Sequence, residues 1–546
     1  MASLLVGPIL RYVSTTEATV WVETDAPCEV AVLGHSARTF HVAGKHYALV
    51  AVRGLEAGSS TEYELTLDGL VHWPPPVSPF PAPRIQTLPE TGPVRILWGS
   101  CRVTAPNELP YTLSTDEDDR GCGVDALYAL TQRLVGQDPA QWPRMILWIG
   151  DQIYADEVSP QTAAFIRARR DTSQPPGLEV QDVEEYTQLY REAWTPAAIR
   201  WLMSTIPSAM IFDDHDVHDD WNTSEAWIQD MRRTSWWHER IVAGLWTYWI
   251  YQHIGNLSPQ ELEADELYAQ VREAQDAGPL LRDFAERAER EGGGSLWSFS
   301  RHIAGTRLVV IDGREGRVLS DGRREMLDEP EWGWLEQQLT GDYDHVIIAN
   351  TLPVLLAPTL HYVEAWNEAL CSGAWGSRVA RWSETLRRGL DLEHWAAFQA
   401  SFHRLIALVT DVAAGRRGRA PASVVMLGGD VHQAYLETVS FPPGSGVQAN
   451  VYQAVCSPFR NQLARRERRM LRIARRSRLL GWLVRRLAHL AGVREPAVSW
   501  RVLQPPTWKN QLGWLDIDGR DLRLTIETTC DGHDPQLEVS LEHQLA

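Results

Sequence analysis

The sequence predicts an α/β protein with a small β-sandwich at its N-terminus. Three observations carry that expectation. Short alternating runs crowd residues 1–90. Beyond a proline-rich stretch, six apolar runs each end in a polar or acidic residue. Helical patterns fill the intervals between those runs.

The composition is that of a globular chain. Of its 546 residues, 44% are hydrophobic and 23% charged, which excludes disordered and collagen-like classes. Six cysteines with no Cys-x-x-Cys pair argue against a disulfide framework or a zinc ribbon. The formal net charge of −19 repels phosphate, so no specific nucleic-acid partner is expected. No apolar run reaches the ~18 residues that a membrane-spanning helix needs. The opening Met1-Ala2-Ser3-Leu4-Leu5-Val6-Gly7-Pro8 lacks a charged leader and a long apolar stretch. The expectation is a cytoplasmic protein without an export signal.

In residues 1–90, Thr19-Val20-Trp21-Val22-Glu23, Tyr47 to Val52 and Tyr63-Glu64-Leu65-Thr66-Leu67 alternate as half-buried strands do. Gly54-Leu55-Glu56-Ala57-Gly58 followed by Tyr63 resembles the corner of a fibronectin-III-like domain. Trp73-Pro74-Pro75-Pro76 to Pro83 reads as a semi-rigid linker, which places a second unit at 91–546. There, Val94 to Trp98 runs into Gly99-Ser100-Cys101, and Met145 to Ile149 into Gly150-Asp151. Ser208 to Phe212 runs into Asp213-Asp214-His215. Leu308 to Ile311 ends in Asp312, Val346 to Ala349 in Asn350, and Val424 to Leu427 in Gly428-Gly429-Asp430. In α/β sheets such strand ends gather on one edge, where sites form.

Two helical insertions are expected. One covers 256–294, dense in Glu, Ala, Leu and Arg, and stops at Gly292-Gly293-Gly294; it reads as a helical hairpin or a lid. The other covers 460–494, with 12 Arg against the single acid Glu467 and apolar residues interleaved. Removing its +11 leaves about −30 on the rest of the chain, so charge is sharply segregated. It reads as a cap whose arginines pair with the acidic body, as a helix in peripheral contact with an anionic membrane, or as a basic wall steering anionic substrate. Leu512 to Glu527 alternates as a final hairpin with its turn at Asp518-Gly519.

The strand ends supply Cys101, Asp151, Asp214, His215, Asn350, Asp430 and His432, with Tyr154 one turn beyond Asp151. A single aspartate there is a cap or turn residue. Independent caps do not explain the tyrosine, cysteine and histidines as well. Clustered carboxylates repel one another, and cations relieve that repulsion. Cys101, Tyr154 and His432 suit a transition metal such as Fe³⁺ or Zn²⁺. Asp214, Asn350 and Asp430 offer oxygen alone, which suits Ca²⁺, Mg²⁺ or Mn²⁺. Asp151 is the natural bridge. Two metals about 3.5–4 Å apart form a phosphoryl-transfer clamp.

The order of these motifs resembles a known family. Gly150-Asp151-Gln152-Ile153-Tyr154-Ala155-Asp156 looks like the metal-bridging motif of purple acid phosphatases and alkaline phosphatase D. Gly99-Ser100-Cys101, Asp213-Asp214-His215-Asp216 with Trp221, Asn350-Thr351 and Gly429-Asp430-Val431-His432 resemble the remaining alkaline phosphatase D motifs in order. The chain is thus identified as a PhoD-like member of the calcineurin-like metallophosphoesterases. The resemblance implies a four-layer α/β/β/α sandwich. It implies a first metal, Fe³⁺, on Cys101, Asp151, Tyr154 and His432. It implies a second, Ca²⁺, on Asp151, Asp214, Asn350 and Asp430, with Mn²⁺, Mg²⁺ or Zn²⁺ as alternatives. It implies hydrolysis of phosphate mono- or diesters, from small molecules or lipid head groups, by metal-activated hydroxide. His215 would protonate the leaving oxygen or stabilise the transition state.

The catalytic candidates are His215, Asp214 and Arg314. Ile311-Asp312-Gly313-Arg314 is similar to an Asp-Thr-Arg stretch of the family, with Gly313 departing from it. Arg314 clamps a phosphate or forms a structural ion pair, and the same alternatives hold for Arg102. His218, Asp219 and Asp220 order their loop or bind an accessory cation. His361 lies in a loop that could reach the site. Asp116-Glu117-Asp118-Asp119 reads as a solvated acidic loop. Cys101 has rival readings as a buried thiol or a nucleophile. The rival to an enzyme is a non-catalytic scaffold of the same fold.

Overall fold

The computed structural model describes every residue except 292–294, 321, 531 and 533, and no side chain at 291, 474, 476 or 478. The expected stop at Gly292-Gly293-Gly294 therefore lies outside the described residues.

The N-terminal region is strand-rich, as expected. Leu4–Val13, Glu17–Thr24, Lys45–Arg53 and Phe40–Val42 form one antiparallel sheet. His35–Arg38, Glu29–Val32, Leu65–Leu67 and Leu70–Trp73 form a second. Alternation buries Val30, Leu65 and Leu67 on the second sheet, whereas Ala18 to Thr24 of the first is buried on both faces, contrary to the half-buried strand expected there. The proline-rich stretch is pinned to the body. Phe80 stacks on Trp201 at 5.5 Å, and the Trp201 indole donates to the Pro81 carbonyl at 2.8 Å. Arg84–Gln86 then returns to pair with Ser60–Glu62. Tyr63 departs from the corner reading. Its hydroxyl donates to the Ser204 carbonyl at 2.6 Å, because a helix of the body lies against this edge.

Two larger sheets follow. The first has the order Ser208–Ile211, Met145–Ile149, Val94–Gly99, Gln511–Asp518, Asp521–Thr529, Leu537–Gln544. Its first three strands are parallel, and the predicted hairpin continues it antiparallel from Val94–Gly99. The second sheet runs Phe299–Ile303, Thr306–Ile311, His345–Asn350, Ser423–Gly428, Asn450–Cys456, Ala434–Ser440, Ser499–Val502. Its middle strands are parallel.

The pleat sorts the second sheet's side chains between two cores. Leu308, Val310, Ile347, Ala349, Val425 and Leu427 share one core with Ile96, Trp98 and Leu147 of the first sheet. Val309, Ile311, Val346, Ile348, Val424 and Met426 meet Trp332 and Leu335 of the helix Glu329–Gln338, and Phe402 and Leu405 of Gln399–Ala413. The mixed α/β architecture is therefore the one the sequence predicts.

The insertion at 256–294 forms the helices Pro259–Ala264, Glu266–Glu273 and Gly278–Glu291. They lie against the N-terminal sandwich and the helix Trp237–Tyr248. The Ala277 N–H donates to the His41 carbonyl at 2.8 Å, Tyr268 packs on Phe40, and Arg282 pairs with Glu239. These contacts hold the described helices to the flank of the body. The Arg-rich insertion forms Arg465–Arg476 and Arg478–Leu490, broken at Ser477, whose side chain caps the second helix.

Candidate metal centre

The two large sheets abut at the carboxyl ends of their parallel strands. The Asp430 N–H donates to Ser100 Oγ at 3.1 Å, and the Phe459 N–H to the Ser100 carbonyl at 2.7 Å. Close approach requires glycine here. A Cβ on Gly429 would lie 2.6 Å from both the Ile149 carbonyl oxygen and Ser100 Oγ. Cys101, Asp430 and His432 hold left-handed backbones, with φ of 55°, 61° and 47°. Such strain in non-glycine residues costs about 1–3 kcal/mol each and clusters at functional sites.

Three overlapping groups of donors form among the described residues. Cys101, Asp151 and Asp430 each place a donor atom within 4.8 Å of the others. Asp151, Asp213 and Asp214 do the same, as do Asp214, His215 and Asp219. Asp151 is shared by the first two groups and is wholly buried, and neither of its carboxylate oxygens has a hydrogen-bond partner. Burial pushes its pKa well up, and Asp214 and Asp213 push it further against the pull of His215. Burial, Asp213 and Asp214 do the same to Asp430. Burial, Asp151 and Asp430 raise the Cys101 thiol. A cation would relieve the unpartnered Asp151 carboxylate and the carboxylates crowded around it, so the donor set fits a metal.

The remaining candidates fall into place unequally. Tyr154 is buried beside Asp151 and Cys101, whose charges join burial in raising its phenol. Its hydroxyl accepts from the Asn461 amide at 3.1 Å. Burial and the charge of His215 push the His432 imidazole down to about 3, which keeps it in its neutral, ligand-competent form. Asn350 is held differently. Its carbonyl oxygen accepts from the Leu352 N–H and the Trp395 indole, both at 3.0 Å. Both of its lone pairs are thereby engaged within the protein.

His215 lies at the rim. Its Nδ1 is 3.0 Å from both oxygens of Asp156, and its ring packs on Tyr154 at 4.8 Å. Burial works against its charge, but Asp214 and Asp156 outweigh it and hold the pKa well above the ordinary value. Burial would raise Asp156, yet His215 pulls it down to about 2. Asp156 also accepts from the Asp219 N–H at 2.6 Å, which ties the His215 loop to the Asp151 loop.

Arg314 requires a correction. It is fully buried, and its guanidinium meets three carboxylates: Asp213, Asp214 at 3.0 Å and Glu393 at 2.6 Å. These pairs match the structural alternative, in which Arg314 holds Asp213 and Asp214 in place. Arg102 resolves the same way. It gives Nε and Nη2 to Asp125 at 3.0 and 2.7 Å, and Nη1 to the Ala193 carbonyl. Asp125 in turn caps the helix Ala126–Val135. Arg102→Ala strands a buried carboxylate and is expected to cost about 3–5 kcal/mol, read as a lowered urea midpoint.

Three other groups are placed by packing or pairing. His361 is buried among Tyr362, Phe402 and Trp500 and does not reach the site. His218 is 3.8 Å from Glu179 and packs on Trp227, Trp236 and Trp237. The acidic loop is engaged rather than merely solvated, because Asp116 pairs with Arg465 and Arg468. Asp156 and Asp213 stood inside quoted motifs without a role, and the motif strings alone could have flagged them. Nothing in the sequence marked Asn461 or Glu393.

Acidic and soft donors thus gather at the joint carboxyl edge of two abutting sheets, and solved structures share this fold. The chain is similar to the structure of PhoD, with a TM-score of 0.60 and 11% identity, covering 99% of this chain and 90% of that one. It is similar to the purple acid phosphatase PPD1 from yellow lupin (Lupinus luteus) seeds, with a TM-score of 0.50 and 12% identity, covering 98% and 73%. At such identities the likeness shows the fold alone. The family comes from the sequence: the PhoD-like phosphatase family matches residues 128–459, more than half of the chain, so the chain belongs to that family and is a phosphohydrolase. Residues 1–85 match a domain of unknown function, DUF7800. No curated protein matches at a significant level.

Proposed function

We propose that this protein hydrolyses phosphate mono- or diesters at a two-metal centre built around Asp151. The observation that carries the reading is the Asp151 carboxylate, wholly buried with both oxygens unpartnered among Cys101, Asp213, Asp214 and Asp430. Cys101, Asp151, Tyr154 and His432 would hold the softer-liganded ion, for which Fe³⁺ is the chemical match. Asp151, Asp214 and Asp430 would hold the second with oxygen donors, which suits Ca²⁺, and Asp213 stands beside them. The metals would supply Lewis acidity and a nucleophile usable at moderate pH.

The protein's own residues do the rest. Arg314 fixes the Asp213 and Asp214 carboxylates by direct ion pairs, so these donors are set before anything binds. Asn461 orients the Tyr154 hydroxyl. His215, kept protonated by Asp156, donates a proton to the leaving-group oxygen or stabilises the charge growing there. Cys101, buried and aligned toward Asp151 and Asp430, serves as a donor and not as a nucleophile.

Elemental analysis of protein purified without chelator tests the centre, together with turnover of bis-p-nitrophenyl phosphate and p-nitrophenyl phosphate. Stoichiometric iron and calcium with chelator-sensitive turnover is the expected result. Turnover that survives complete metal removal, or full metal content without turnover of any phosphate ester, would overturn the reading.

A further inference from the structure

The helices Arg465–Arg476 and Arg478–Leu490 face solvent in an unusual way. Amphipathic helices bury one apolar stripe and turn polar residues outward. The second helix is apolar on both sides. Val484 and Ala488 are buried against Tyr362 of the helix Pro358–Cys371. At about 100° per residue, Leu479, Leu483 and Leu490 share a stripe within about 40° of one another, on the opposite side. They are 76%, 45% and 74% exposed, and Trp482 beside them is 55% exposed. The first helix adds exposed Met470 and Ile473. Exposed large apolar side chains scattered singly are ordinary, but a contiguous run marks an interaction surface.

Two further observations say what covers it. First, the apolar stripe is set among cations. Arg466, Arg469 and Arg486 are exposed, and Arg486 lies over the Trp482 ring at 4.7 Å. Other arginines are engaged by the body: Arg465 and Arg468 with Asp116, Arg485 with Glu495, Arg472 over Trp508 and Arg475 over Tyr435. The outward set is thus in excess of what pairing with the body uses. Second, of the protein's 24 tryptophans, the three exposed ones are Trp375, Trp382 and Trp482. Trp382 lies on Ser377–Gly389, and that helix packs on Pro358–Cys371, as does the one bearing Trp482. Leucine, tryptophan and arginine together on a helix lying flat match the interface of an anionic bilayer, where indoles sit at headgroup level and arginines meet lipid phosphate.

We propose that residues 465–490 form a docking surface for an anionic lipid bilayer, with Leu479, Trp482, Leu483 and Leu490 inserted and the exposed arginines against headgroups. No helix of the described residues is long and apolar enough to cross a membrane, so the contact is peripheral. The docking helices begin four residues after Asn461, which touches Tyr154, so docking would bring the donor cluster near the lipid surface. The proposal concerns binding alone and stands whether or not the two-metal reading holds.

Co-sedimentation with vesicles of phosphatidylglycerol and phosphatidylcholine tests it, against vesicles of phosphatidylcholine alone. The wild-type protein is expected to pellet with the anionic vesicles and to be released as salt is raised. A Leu479→Glu, Leu483→Glu, Leu490→Glu variant is expected to bind at least roughly 100-fold more weakly. It should keep its wild-type melting temperature and turnover of a soluble phosphate ester. An Arg466→Gln, Arg469→Gln, Arg486→Gln variant keeps every inserted leucine and is expected to lose about tenfold, with a flatter salt dependence. Failure of the wild type to pellet at low salt would overturn the proposal, as would equal pelleting by all three proteins. A wild type that ignores vesicles but sediments as a dimer, with the glutamate variant monomeric, would also overturn it and reassign the face to a second copy of the chain.

Discussion

Asp151→Asn is expected to remove stoichiometric metal and to lower kcat/KM by roughly three orders of magnitude, the kinetic equivalent of several kcal/mol of charge stabilisation. The reasoning starts from the position Asp151 occupies. It is shared between two donor groups, so a neutral amide there weakens both. The metal-free protein should respond in the opposite sense. A carboxylate whose pKa is raised by folding destabilises the fold once the pH rises above its ordinary value, and the penalty grows until the raised pKa is passed. Asparagine carries no such penalty. Metal-free Asp151→Asn should therefore melt at or above the temperature of the metal-free wild type at neutral pH. Only the wild type should gain stability on adding metal, as ligand linkage requires. Thermal melts with and without metal read both signs. A variant that melts lower without metal would point to a structural role for Asp151.

His215→Asn is expected to lower kcat about 10³-fold for alkyl phosphate esters and less for p-nitrophenyl esters, whose leaving group needs little protonation. Asp156→Asn separates proton donation from positioning. Asp156 raises the His215 pKa through a direct contact at 3.0 Å and lies outside the three donor groups, so its influence persists when cations offset the other carboxylates. A histidine with a raised pKa stays charged below its ordinary value and loses its proton only as the pH rises through the raised one. The wild type should thus keep the acid form past neutrality, with kcat/KM falling on the alkaline side. Asp156→Asn should move that fall to lower pH while leaving metal content intact. A pH–rate profile whose alkaline limb stays in place would remove His215 from the role of acid.

Much of the chemistry was readable from local strings. Gly150 to Tyr154, Asp213 to His215 and Gly429 to His432 each sit where an apolar strand must stop, and the structure brings Cys101, Asp151, Asp214 and Asp430 together there. The roles of arginines were not readable, because an arginine in sequence carries no sign of its partners. Arg314 looked equally able to meet a phosphate or a carboxylate. Only folding sets Asp213, Asp214 and Glu393 around it, the last 79 residues away. His361 failed as a candidate for the same reason, since it lies on the helix Pro358–Cys371 and not in the expected loop, within an aromatic enclosure.

By itself the sequence determined the α/β class, the strand-rich N-terminus, the order of the strand-end motifs and the segregation of positive charge into 460–494. These follow from short-range patterns of hydrophobicity and charge, which each segment carries independently of its neighbours. Tertiary structure alone decided that the 256–294 helices flank the body, that the amide oxygen of Asn350 is already engaged, and that Arg314 serves carboxylates. It alone decided that Val484 and Ala488 of the Arg-rich helices face inward while Leu479, Leu483 and Leu490 face water. Those outcomes depend on pairings between residues tens to hundreds of positions apart, and such pairings exist only once the chain has closed on itself.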